Sequence, residues 1–213
     1  MQLEDVYVQG FKNNITISPN RTNFDKATDV SIRRCVIVDA ADDGGHSQGI
    51  YVAHVNNLLI EGCVIDHNGY REDEAGFEPT KFNHNVYIDA SCGPATVRGN
   101  IVTRAATTGI FARSGGVVED NLCIDNVGNI QFGYAADGGG TPGSLTGGSI
   151  ERNVCLGGSN RSGTTPTSMS TINVDGCEIA YNLLAHNNGP GLPAGLVLSL
   201  SLIHISEPTR LES

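Results

Sequence analysis

The chain has 213 residues, a formal net charge of −10, and 39% hydrophobic against 17% charged residues, a composition of folded globular domains and not of disordered chains. The acidic balance argues against nucleic acid or an anionic membrane surface as the main partner, because phosphate binding needs clustered Lys and Arg. Gly at 27 with aromatics at only 6% implies many tight turns, few large core anchors and therefore many short strands.

The opening residues, MQLEDVYVQG, lack a charged start followed by an apolar core, so no secretion signal is visible, and no apolar run is long enough to span a bilayer. A weak first repeat is read in VYVQGFKNN, with Phe11 at its turn. Six stronger copies follow: VSIRRCVIV, LLIEGCVID, ATVRGNIVT, GVVEDNLCI, GSIERNVCL and CEIAYNLLA. Each has alternating apolar residues, a two-residue turn, a Cys or Asn, and a second apolar run. The turn residues Cys35, Cys63, Asn100, Asn121, Asn153 and Asn182 lie at intervals of 28, 37, 21, 32 and 29 residues. A fixed phrase at variable spacing predicts equivalent strands joined by loops of different length, which is a solenoid.

A second phrase precedes five of the turns: GIYVAH, NVYIDA, GIFARS, NIQFGY and TINVDG. Each coil therefore has at least two strands, and stacked coils place Ile50, Val86, Ile110, Ile130 and Ile172 in one inward row. Val52, Ile88, Ala112, Phe132 and Val174 form a second. The longest loop, Asp66 to His84, is acidic; Glu72, Asp73, Glu74 and Glu78 are candidate oxygen ligands for Ca²⁺, although REDEAGFE lacks the EF-hand spacing. The six cysteines contain no CxxC pair and are expected to be buried free thiols, not a zinc site.

Residues from Leu200 to Arg210 in the tail LSLIHISEPTRLES resemble the translation of a common transposase sequencing adapter. The reading is a β-helix domain over 1–199 and a non-native tail over 200–213, which excludes His204 as a ligand and implies a coding sequence cut near 199.

The φ-x-φ-x-x-Asn phrase with Asn-Gly loops resembles the repeats of the pectate-lyase-like superfamily over about residues 4 to 190. That resemblance implies an all-β, right-handed parallel β-helix (β-solenoid) fragment of about six to seven coils. It also implies a carbohydrate-active protein, with polysaccharide as partner, at an extracellular or cell-envelope location. The superfamily includes lyases, hydrolases, epimerases, tailspikes and noncatalytic surface proteins, so the repeat specifies fold far better than activity.

Outward charges before each turn (Arg33, Glu61, Arg98, Glu119 and Glu151) read as an ion-pair ladder, with Arg104 and Asp125 paired after it. The outer face of the first strand differs. Its row reads Tyr51, Tyr87, Phe111, Gln131 and Asn173, flanked by Asp89, Arg113 and Asp175. Three aromatic rings beside an Asp–Arg pair suggest a platform for sugars. For β-elimination on a uronate polymer, by a polysaccharide lyase or epimerase, Arg113 would neutralise the carboxylate. His84 would be the base and Tyr51 or Tyr87 the acid, with Phe111, Asp89, Gln131 and His54 binding substrate. Two alternatives stay open: a noncatalytic glycan-binding or structural module, and a glycoside hydrolase. The hydrolase lacks a suitable carboxylate pair, because Asp89 and Asp175 are expected about 14 Å apart on the 4.8 Å rung spacing.

Overall fold

The computed structural model describes residues 1–19, 26–133, 146–158, 160, 161, 163, 166–185 and 194–199; the adapter-like tail lies outside the described residues. Short runs rich in Val, Ile and Thr, each broken by a left-handed corner, cannot continue as one long strand and instead wind into coils. Each of seven coils contributes one strand to each of three seven-stranded parallel sheets. In the third coil these are Val55–Glu61, Val64–Asp66 and His84–Ile88. The protein is a parallel β-helix.

The corner between the first and second sheets is one residue in the left-handed region: Asp5, Arg34, Gly62, Gly99, Asp120, Arg152 and Tyr181, with φ between 51° and 64°. The next residue points inward. Asn100 donates its side-chain amide to Asn121 at 2.9 Å, Asn121 to Asn153 at 2.9 Å, and Asn153 to Asn182 at 3.0 Å. Toward the N-terminus cysteine takes over, and the Cys35 N–H meets the Cys63 sulfur at 3.5 Å. The first coil places Val6 at this corner, since Tyr7 pairs with Val36 and the Val36 N–H donates to the Val6 carbonyl. The expectation of Phe11 is corrected: that side chain is exposed.

The second corner carries an asparagine string that zigzags between two positions. Asn14 donates to Asn68 at 3.1 Å, Asn68 to Asn85 at 2.8 Å, Asn85 to Asn126 at 3.3 Å, and Asn126 to Asn129 at 2.9 Å. Asn14, Asn85 and Asn129 sit on third-sheet strands. At the equivalent positions Gly49 and Gly109, an added Cβ would come within 2.8 Å of Asn68 and 2.9 Å of Asn126, respectively. Glycine on alternate coils therefore makes room for the asparagine that reaches over from the next turn. Each such bond contributes roughly 1 kcal/mol, and leaving a buried amide unpaired costs about 1–3 kcal/mol.

Inside, apolar rows run along the axis. Ile32, Ile60, Val97, Val118 and Ile150 line the first sheet, Ile37, Ile65, Val102, Cys123 and Cys155 the second, and Ile50, Val86, Ile110, Ile130 and Met169 the third; all are buried. Each buried aliphatic side chain stabilises the fold by roughly 1.5–3 kcal/mol relative to exposure. Met169, not Ile172, continues the third row, and Thr171 stands opposite Phe132. Val174 belongs to the next first-sheet strand, opposite Thr146. The TINVDG phrase was aligned three residues late because MSTI satisfies the same alternation. All six cysteines are free thiols, five of them buried.

Candidate functional site

The third sheet presents an outward row built by strict register. Tyr51 stands opposite Tyr87, Tyr87 opposite Phe111, and Phe111 opposite Gln131. The next member is Ser170, not Asn173, so Asp175 also leaves this face and lies in the first-sheet strand Val174–Ala180. The Asp89–Asp175 carboxylate pair considered for hydrolysis is therefore not a feature of one face.

The rings do not form a flat platform. Tyr51 and Tyr87 stack with centroids 5.7 Å apart at 25°, and Phe111 meets Tyr87 edge-on at 5.5 Å and 84°. Side chains repeated along a solenoid cover one another's faces, so partly buried ring edges and the tyrosine hydroxyls define the row.

Arg113 closes the row at one side. Its guanidinium carbon lies 5.4 Å from the Tyr87 ring centre and 5.6 Å from that of Phe111; Nη1 donates to the Tyr87 hydroxyl and is 3.7 Å from Asp89. The side chain is only 13% exposed. Burial raises the Tyr87 phenol above its usual range, although Arg113 pulls it the other way. The Asp89–Arg113 pair expected from sequence is thus present. Asp89 also accepts the Ser91 N–H at 2.9 Å.

His84 is brought to these rings, 5.3 Å from Tyr87 and 5.4 Å from Phe111. It is 4% exposed, and its Nδ1 is buried without a hydrogen-bond partner among the described residues. Burial, with Arg113 and His46 adding to it, lowers its pKa to about 3, so the ring is neutral and weakly basic. Gln48, opposite His84 on the neighbouring strand, accepts the His84 N–H at 2.8 Å and donates to the Phe82 carbonyl at 2.7 Å. His54 lies in the left-handed turn from the third sheet to the first, where its N–H donates to the Ser91 hydroxyl at 3.0 Å. It borders the face without joining the ring row.

The exposed ion pairs differ in detail from the expected ladder. Glu61 accepts Arg33 at 2.9 Å and Arg98 at 2.7 Å, and its carboxyl is held low chiefly by Arg98. Arg152 gathers Glu119, Asp120 and Glu151. Arg104 pairs with Asp66, not Asp125, which takes Arg161 instead.

The sequence reading left out a second cluster, on the loops that leave the second sheet. His67 sets Nδ1 2.7 Å from Asp39 and Nε2 2.8 Å from Glu72, and meets the Tyr70 ring edge-on at 4.6 Å. It thereby ties the start of the long loop to the preceding coil. Tyr70, Arg71, Glu72, Glu78, Pro79 and Arg161 line a cleft of about 290 Å³. Two signals in sequence pointed here: the loop's length and a His immediately before Asn-Gly. The partners were hidden because Asp39 and Arg161 arrive from other coils.

Among the described residues, no three His, Cys, Asp or Glu side chains converge to hold a metal. In the acidic loop Glu72 turns to His67 and Glu74 to Arg71 at 2.8 Å. No family model, curated protein or solved structure matched this chain.

Proposed function

We propose that this chain is a noncatalytic glycan-binding β-helix of the pectate-lyase-like kind, working outside the cell or at its envelope, with polysaccharide lying along the outer face of the third sheet. The observation that carries the reading is the row Tyr51–Tyr87–Phe111–Gln131, held in register over four coils and flanked by Asp89 and Arg113. Half-buried tyrosine edges with hydroxyls offer apolar and hydrogen-bonding contact at a regular spacing, as a repeating polymer requires. Binding is favoured over lyase or epimerase chemistry because a base must reach a carbon-bound proton. His84 is sealed from solvent and too weak a base near neutral pH.

The test uses the purified chain with pectate, alginate, glucan and mannan. Retention in affinity electrophoresis, with no unsaturated product absorbing in the ultraviolet, is expected for at least one polymer. Tyr51→Ala should weaken that retention. Turnover of any polymer, or retention by none, would overturn the reading.

A further inference from the structure

The Tyr70 cleft carries an inference of its own. Tyr70 is 3% exposed and lines an open cleft, and its hydroxyl, which makes no hydrogen bond among the described residues, is not sealed from solvent there. A phenol buried except for its one polar atom directs that atom at whatever fills the cleft, water or ligand. Its position is fixed from two sides, by His67 against the ring edge and by the Arg161 guanidinium 5.7 Å from the ring centre. Arg161 is itself anchored, through Asp125 and the carbonyls of Asp125 and Ala105. The cleft thus presents a phenol oxygen held in a fixed place.

The lining selects a ligand class. Two guanidinium groups, Arg71 and Arg161, face two carboxylates, Glu72 and Glu78, and further acids, Glu74 and Asp125, already engage both arginines. A site for a phosphate or carboxylate would carry surplus positive charge, and among the described residues this one carries none. Donors and acceptors in equal number beside one phenol suit a neutral ligand whose every polar group both donates and accepts, which describes a sugar hydroxyl. The volume is at the small end of ligand clefts, enough for a short saccharide unit and not a long chain.

We propose that the cleft between the long third-coil loop and Arg161 is a binding site for a neutral sugar unit, with the Tyr70 hydroxyl and Glu78 as its central hydrogen-bonding groups. Only the choice of a saccharide leans on the glycan-binding reading, and the site is separate from the third-sheet row. Sugar hydroxyls would accept from Tyr70 and Arg161 and donate to Glu78, while Pro79 offers apolar contact to the ring carbons.

The experiment is amide NMR of the full chain titrated with glucose, galactose, mannose and N-acetylglucosamine, with glucuronate as the charged comparator. Saturable shifts confined to residues 69–79 and the Arg161 segment are expected with at least one neutral sugar. Tyr70→Phe, which keeps the ring and removes only the unpaired oxygen, should weaken that binding by about 5- to 10-fold, the effect of one neutral hydrogen bond, with the remaining spectrum unchanged. No saturable shift with any neutral sugar, a preference for glucuronate, or unaltered affinity in Tyr70→Phe would overturn the proposal. Polysaccharide retention that is lost in Tyr51→Ala but kept in Tyr70→Phe would leave the face reading standing even where the cleft fails. Cleft shifts without any polysaccharide retention would do the reverse.

Discussion

Asn100 donates its side-chain amide to the Asn121 side-chain oxygen at 2.9 Å, and that same oxygen accepts the Asn100 N–H at 3.0 Å. Asn121 in turn donates to the Val97 carbonyl and to Asn153, both at 2.9 Å. One buried side chain therefore closes the corner of the preceding coil, at Val97 and Asn100, and ties it to the following coil at Asn153. Asn121→Leu keeps the branched outline but adds bulk and strands several buried partners, and is expected to destabilise the protein by about 2–4 kcal/mol. Urea unfolding checks this; a loss within 0.5 kcal/mol would mean the string is incidental.

His84 gives the fold a pH dependence of definite sign. Its folded pKa, about 3, lies below its unfolded value, so the unfolded chain takes up the proton first. The stability present above about pH 6.5 is lost as pH falls toward the folded value, amounting to roughly 2 kcal/mol between pH 7.5 and pH 5. His84→Phe should remove this slope. Denaturant midpoints at several pH values, compared between the two proteins, decide it.

Arg113 holds the Tyr87 phenol below where burial alone would set it. In Arg113→Met, the Tyr87 hydroxyl should titrate at still higher pH, readable from its ring carbon shifts by NMR. Stability should fall by about 1–3 kcal/mol, because Asp89 loses its charge partner. An unmoved phenol would mean the guanidinium does not sit over the ring in solution.

Two backbone positions bracket the tolerance of the coils. At Gly116 (φ 112°) an added Cβ would lie 2.0 Å from the Ala95 carbonyl oxygen, so Gly116→Ala should cost more than about 3 kcal/mol or abolish folding. Tyr181 is exposed yet sits at φ 58°, where a side chain is strained. Tyr181→Gly should raise stability by roughly 0.5 kcal/mol, the relief of strain being partly offset by unfolded-state entropy. Thermal melts of both variants test the pair of expectations.

The corner at Cys35, Cys63, Asn100, Asn121, Asn153 and Asn182 was legible because one residue of constant type class recurs at one place in a constant phrase, and that fixed the solenoid. The second string was not read, although its trace was there: the phrases GIYVAH, NVYIDA, GIFARS and NIQFGY begin alternately with Gly and Asn. In the fold, Gly49 and Gly109 vacate space for Asn68 and Asn126, a contact between coils that the spacing along the chain does not reveal. Similarly, the face row was legible as far as Gln131, where spacing was regular, and failed at Ser170, where two candidate strands in SMSTINVDG satisfy the same alternation. Burial of His84 against Tyr87 and Phe111 depends on where the long loop re-enters its strand, a matter of loop path that periodicity does not encode.

The loop over residues 67–83 leaves and re-enters the stack without altering the pairing on either side, since Val38 still faces Asp66 and Gln48 still faces His84. Each coil answers only to the ones above and below it. Length is accordingly a free variable in this architecture: a further coil with the corner phrase would extend the rod by about 4.8 Å and add one more rung to each face. Any face of this rod is dimensioned by counting turns, so its length along the axis can be changed by duplication without redesigning a single contact.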